Sequence, residues 1–157
     1  MSREIVILRH AQAEPGAAAQ RDFDRALSER GRDEAKAVAR WFSEHGLRFD
    51  RVVSSPAARA RETAELAVPA GTSVELDAAV YDATPGTLLT VLDRHAGGGR
   101  TLLVGHNPGL EQLVALLTEG RSDECRGLPT AGVACLALAE DATVEPGAAQ
   151  LRAFWSP

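Results

Sequence analysis

Ile5-Val6-Ile7-Leu8-Arg9-His10-Ala11 is the stretch whose reading decides the fold. Four apolar residues, three of them β-branched, run straight into an arginine and a histidine. An unbroken apolar run of this length, ended by polar residues, predicts a strand buried on both faces. Strands of that kind belong to open α/β sheets, where ligands bind in the crevice at the carboxyl ends of the strands. Arg9 and His10 stand at that end. One is a permanent cation; the other carries a nitrogen that is neutral or charged near physiological pH.

Outward from this strand the chain alternates. Gln12 to Gln20 is a small-residue loop, followed by the charge cluster Arg21-Asp22-Phe23-Asp24-Arg25. Ser28 is positioned to cap a helix running to about His45. Its face carries Ala35, Val38, Ala39 and Phe42 at helical spacing, and Gly46 supplies the stop. Arg51 to Ser54 predicts a second strand. Ser55-Pro56 then reads as a helix start, with serine as N-cap and proline at the first helical position, the helix reaching about Leu66. Ser73 to Leu76 predicts a third, weaker strand. Thr84-Pro85 and Asn107-Pro108 repeat the cap-plus-proline start, either side of the strand Thr101 to Val104. Gly132 to Leu138 and Gln150 to Trp155 read as the last two strands, the second at an edge. Strands alternating with helices predict a three-layer α/β/α domain with a mostly parallel central sheet, one domain over residues 1–157.

Composition limits what this domain does. The 157 residues carry a net charge of -5, which argues against nucleic acid as partner. No apolar run approaches a membrane span, so no membrane association is expected. Two cysteines, Cys125 and Cys135, make neither a disulfide framework nor a ligand cluster, and reduced thiols in the cytoplasm are the plain expectation. The chain enters its first strand almost at once, so no secretory signal is expected. The protein is expected to be a monomer.

Three later segments converge on Arg9-His10: Ser54 to Arg59, the loop around Tyr81-Asp82, and Val104 to Gly109. Phosphoryl transfer wants positive charge around the transferred oxygens and an in-line nucleophile. A neutral imidazole is such a nucleophile, and Arg9 nearby would keep its pKa low. Arg59, four residues after Ser55, would aim a fork of N–H donors into the same crevice if it faces inward. His106 ends the fourth strand as His10 ends the first. Each feature has a plainer reading: a strand-end ion pair for Arg9, a solvated helix face for Arg59 and Arg61, a turn histidine for His106. His45 and His95, near helix ends, read as structural. A His10–His106 metal pair finds no third ligand at suggestive spacing, so no metal and no cofactor are expected. Ser54 and Ser55 lack a base in sequence, although His106 could lie near them in space.

Taken together, Arg9-His10, the run Ser54-Ser55-Pro56-Ala57-Ala58-Arg59-Ala60-Arg61-Glu62-Thr63-Ala64 and Val104-Gly105-His106-Asn107-Pro108 resemble the three motifs of the histidine phosphatase, or phosphoglycerate mutase-like, superfamily. The compact length, Asp24 to Ser28, Gly105 to Gly109 and Pro129-Thr130-Ala131 are similar to the SixA-type phosphohistidine phosphatases. The resemblance implies that His10 is transiently phosphorylated and that Arg9, Arg59 and His106 hold the phosphate. By the same analogy Arg25 reaches the substrate. Asp82 is the nearest candidate for the general acid, with Glu14 second. Ala11 stands where the family's signature has glycine, a change that would cost about 1 kcal/mol if the turn needs positive φ. The implied substrate is phosphohistidine on a partner protein. The alternatives are a small phosphate ester or a non-catalytic phosphate-binding module.

Overall fold

The computed structural model describes residues 3–157. Six strands form one sheet: β1 (Arg3–Arg9), β2 (Arg51–Ser54), β3 (Glu75–Leu76), β4 (Arg100–Gly105), β5 (Val133–Leu138) and β6 (Gln150–Trp155). Their order across the sheet is β3-β2-β4-β1-β5-β6. β1, β2, β3 and β4 pair in parallel, and β5 runs against both β1 and β6. The sheet is therefore mostly parallel, with β6 at one edge and the two-residue β3 at the other.

Four helices cover it: α1 (Glu29–Glu44), α2 (Ala58–Ala67), α3 (Pro85–His95) and α4 (Gly109–Glu119). The alternation along β1 explains the layers. Ile5 and Ile7 pack on one face with Leu88 and Leu92 of α3 and Leu110, Leu113 and Leu117 of α4. Val6 and Leu8 pack on the other with Ala35, Val38 and Phe42 of α1 and Ala60 and Ala64 of α2. β4 divides in the same way, Leu103 to the first face and Leu102 and Val104 to the second. Strands buried on both sides read as continuous apolar runs for this reason. Among the described residues no helix is long and apolar enough to cross a membrane.

Two of the three cap-plus-proline starts differ from expectation. Thr84 caps α3 by accepting from Thr87 N–H, with Pro85 in the first turn, as its sequence predicts. α2, however, begins at Ala58 with Ala57 in the capping position and no side-chain cap. Ser55 lies too early to cap it, and its hydroxyl accepts instead from Ala57 N–H (3.2 Å) within the turn. α4 begins only at Gly109, with Pro108 in the capping position, and Asn107 Oδ1, one residue earlier, accepts from Glu111 N–H (3.2 Å) in the first turn. After β4 the residues that precede the helix, His106, Asn107 and Pro108, line a crevice.

One glycine is required by a close approach. A Cβ on Gly31, in the first turn of α1, would lie 1.9 Å from the Gln12 carbonyl oxygen. That contact seats the segment after His10 directly on α1. Ser28 N–H and Oγ both donate to the same carbonyl, at 3.0 and 3.2 Å, and Glu34 accepts from Gln12 N–H at 2.8 Å.

Candidate active site

The register of the two central strands builds the site. Arg9 lies opposite Gly105, so the next residues, His10 and His106, leave the sheet side by side. His10 N–H donates to the Gly105 carbonyl (3.0 Å), and the two imidazoles meet edge to face with centroids 5.2 Å apart. Ser54 lies opposite Val104, which brings Ser55 to the same level. Arg59 then points back from the first turn of α2. Its side chain is 8% exposed, so it belongs to the crevice and not to the solvated face. Arg61, by contrast, is exposed and pairs with Glu65 at 3.5 Å.

These groups line a cavity of about 390 Å³, within the range of small-molecule sites. Arg9, His10, Arg25, Arg59, Asp82 and His106 all contribute to its wall. Glu14 does not; only its backbone takes part nearby, where its carbonyl accepts from Arg25 at 3.0 Å. Asp82 is exposed on the rim with φ +54, a left-handed conformation that aspartate adopts more readily than most residues.

His10 Nδ1 lies 2.7 Å from the Ala11 carbonyl oxygen. A carbonyl only accepts, so Nδ1 carries the proton and Nε2 keeps its lone pair. The His10 pKa is lowered to about 4, first by burial and then by the charges of Arg59 and Arg9, with the Ala11 hydrogen bond opposing. Burial therefore leads, where the sequence pointed to the neighbouring cations. His106 is lowered to about 3, again by burial first, then by His10 and Arg59. Both imidazoles are neutral at neutral pH.

His106 Nε2 lies 2.7 Å from Ser55 Oγ. That hydroxyl is fully buried and accepts from Ala57 N–H, and among the described residues its proton meets no acceptor but Nε2, so it donates there. His106 then carries its own proton on Nδ1. Ser55 is thus a member of the site that local reading assigned to a helix cap. Thr63 is another: its hydroxyl donates to the Arg59 carbonyl (2.7 Å) and accepts from Ala11 N–H (3.0 Å), tying the turn after β1 to α2. Ala11 itself is fully buried, and its φ is negative. The methyl group packs in the α1–α2 layer, and the expected cost of losing glycine does not arise.

The arginines are held but incompletely satisfied. Arg9 donates Nη1 to the Leu128 carbonyl (3.0 Å). Arg59 donates Nη1 to the Asp22 carbonyl (2.8 Å) and Nη2 to Asp22 Oδ2 (3.0 Å). The Nε atoms of both arginines are buried without an acceptor among the described residues. Asp22 sits on a single 3-10 turn, Asp22–Asp24, carried over the crevice by the loop after β1. Its Oδ2 also accepts from Tyr81 Oη (2.8 Å), and its Oδ1 accepts from Arg25 Nε (3.0 Å). The Tyr81 hydrogen bond is the chief reason that the Asp22 pKa falls to about 2, helped by Arg59 and opposed by partial burial. Tyr81 is pushed up by the same contact. The sequence marks the Arg21–Arg25 cluster and the Tyr81 loop but not their meeting point. Asp22 is 37 residues from Arg59 and 59 from Tyr81, beyond any local pattern.

Known proteins resemble this chain in sequence and in fold. The family model described as histidine phosphatase superfamily (branch 1) matches residues 5–88. Rv1276c of Mycobacterium tuberculosis, an uncharacterized protein, is 34% identical, with the match covering 96% of this chain and 99% of that one. The Agrobacterium tumefaciens protein described as a phosphohistidine phosphatase SixA superposes with TM-score 0.82 at 30% identity, covering 98% of this chain and 97% of its own. A protein histidine phosphatase SixA complexed with tungstate gives TM-score 0.80 at 25% identity, covering 98% and 96%. The crevice at the ends of β1 and β4 lies in a chain that belongs to the histidine phosphatase superfamily.

Proposed function

We propose that this phosphatase removes the phosphoryl group from phosphohistidine on a partner protein, through a covalent intermediate on His10 and without a metal. The observation that carries the reading is the state of His10. It is neutral, its proton is held on Nδ1 by the Ala11 carbonyl, and its Nε2 lone pair is free between cationic side chains. In the first step Nε2 attacks phosphorus, the bond to the leaving group breaks, and its electron pair departs with that group. Arg9, Arg59 and the Nδ1–H of His106 take the charge on the phosphoryl oxygens, and Arg25 steers the substrate at the rim. His10 is now a phosphorylated imidazolium, and the Ala11 carbonyl stabilises its Nδ1 proton. In the second step water attacks phosphorus, the P–N bond returns its pair to Nε2, and inorganic phosphate leaves.

A protein substrate suits the form of the site. Asp22, 54% exposed, and the exposed Asp82 stand at the mouth. A phosphohistidine also eases the chemistry, since its imidazole leaves readily once protonated, whereas an ester leaves as an alkoxide and wants a proton donor. Asp82 on the cavity wall supports a second reading, a small phosphomonoesterase with Asp82 as general acid. A non-catalytic binding module draws no support from Ala11, whose backbone is unstrained. The test is a panel of phosphohistidine proteins and phosphate monoesters, with rapid quench. The expected result is acid-labile, base-stable phosphate on His10 and a higher kcat/KM for phosphohistidine. Label on another residue, or a preference for monoesters, would refute the proposal.

A further inference from the structure

We infer that Asp22 selects a nitrogen leaving group, its carboxylate receiving the ring N–H of the substrate imidazolium as the P–N bond breaks. The inference rests on the phosphohistidine reading and assigns the atom that tells this substrate from an ester. Asp22 is on the wall of the cavity that holds His10, at the mouth and not in the core. Its carboxylate is fixed from three sides, by Arg59 and Tyr81 on Oδ2 and by Arg25 on Oδ1. A carboxylate offers about four acceptor positions. Three are used, and the fourth belongs to Oδ1, on a side chain 54% exposed. A fixed acceptor with one position unused, on an exposed side chain of the cavity wall, is suited to an N–H donor on a ligand. The same negative charge disfavours a leaving group that departs as a phenolate or alkoxide.

The step balances without a side-chain acid. The substrate is an N-phosphorylated imidazole protonated on its other ring nitrogen, and that N–H donates to Asp22. The His10 Nε2 lone pair forms the new bond to phosphorus. The old P–N bond breaks with its pair returning to the substrate ring, which leaves as neutral imidazole, its N–H still on the carboxylate. Asp22 stabilises the cationic ring of the bound substrate, keeps its N–H in place as the ring leaves neutral, and takes up no proton.

Phosphoimidazole and 4-nitrophenyl phosphate test this, because both transfer the same phosphoryl group to His10 and differ only in what departs. Loosening of Arg59 on loss of Asp22 would act on both and cancels in the ratio of their kcat/KM values. Asp22→Asn should lower that ratio tenfold or more, the size expected for one hydrogen bond to a charged group. Asp22→Ser is measured beside it, and thermal melts select the folded variants. A ratio that falls less than tenfold in the folded variants overturns the role of Asp22. Wild-type enzyme that turns over aryl phosphate but not phosphoimidazole would instead overturn the phosphohistidine reading on which it rests.

Discussion

Lowering the pH from 7 to 5 should destabilise this protein through two residues, His10 and His106. Both titrate near 6.5 when exposed, and the fold lowers them to about 4 and about 3, in each case by burial first. A base whose folded pKa is depressed leaves the unfolded chain binding more protons as the pH drops below 6.5. Stability is then full above that value, falls as pH falls, and levels off only below the folded pKa. At pH 5 an unfolded histidine is about 1.5 pH units past its midpoint, and one unit is worth about 1.4 kcal/mol. Each buried histidine therefore withdraws about 2 kcal/mol, and the pair about 4 kcal/mol, a large part of the stability of an ordinary domain. The carboxylates do not mask this. Asp22 and Asp77 are lowered to about 2 from 3.8, so what they contribute is present above pH 3.8 and lost only below it. The assay is urea unfolding at pH 7, 6 and 5, followed by tryptophan fluorescence; Trp41 and Trp155 stack at 5.2 Å across α1 and β6 and report loss of packing. His10→Gln should remove about half of the pH dependence. Unfolding free energies that change by less than about 1 kcal/mol between pH 7 and 5 would show that the imidazoles are solvated, and would remove the basis for a neutral nucleophile at low pH.

Gly31→Ala places a methyl group 1.9 Å from the Gln12 carbonyl oxygen, which must move, so a loss of about 1–3 kcal/mol is expected in thermal or urea unfolding, with a fall in kcat because the displaced segment follows His10. Asp82→Asn keeps a residue that tolerates φ +54 and should leave the fold intact. It should slow monoester turnover on the order of 10²- to 10⁴-fold, the worth of a general acid, while phosphohistidine turnover keeps most of its rate; equal losses on both substrates would rule out an acid role. Ser55→Ala removes the donor to His106 Nε2 and frees the ring to exchange tautomers, so kcat should fall on the order of tenfold, as when a partner that orients a histidine is lost, with the unfolding free energy moved by no more than about 1–3 kcal/mol. An unchanged kcat would show that His106 needs no such support.

Much of the fold was legible in the sequence because it rests on local pattern. Ile5-Val6-Ile7-Leu8 reads as a doubly buried strand, and its alternate residues do divide between two helical layers. Ser28, Thr84 and Gly46 mark their helix ends by rules that need only neighbours a few residues away. What failed to read was settled by partners far along the chain. Ser55 fits a helix cap by sequence but does not cap; its hydroxyl goes to a histidine 51 residues on, an approach the sequence leaves open without fixing it. Asp22 looks like one more surface charge until Arg59 and Tyr81 close on it. Ala11 looked like a departure from glycine, but the turn has negative φ and a buried slot for a methyl group. Local rules give the frame; the polar side chains in the crevice answer to tertiary contacts, which spacing alone does not encode.

The site also divides two tasks that the sequence had joined. Arg9 beside His10 suggests that one cation both holds the phosphate and keeps the imidazole neutral. Burial comes first in lowering His10, and the arginine charges come after it. The neutral state of the nucleophile is therefore built into the sheet itself, through the register that sets His10 against Gly105 and His106, while the Ala11 carbonyl accepts from Nδ1–H and so leaves the lone pair on Nε2. This leaves the guanidinium groups to meet charge on a ligand. A nucleophile that owed its neutrality mainly to Arg9 and Arg59 would lose it as a phosphoryl group arrived and cancelled their charge. One kept neutral by burial retains its lone pair when the anion is bound, which is when attack must occur.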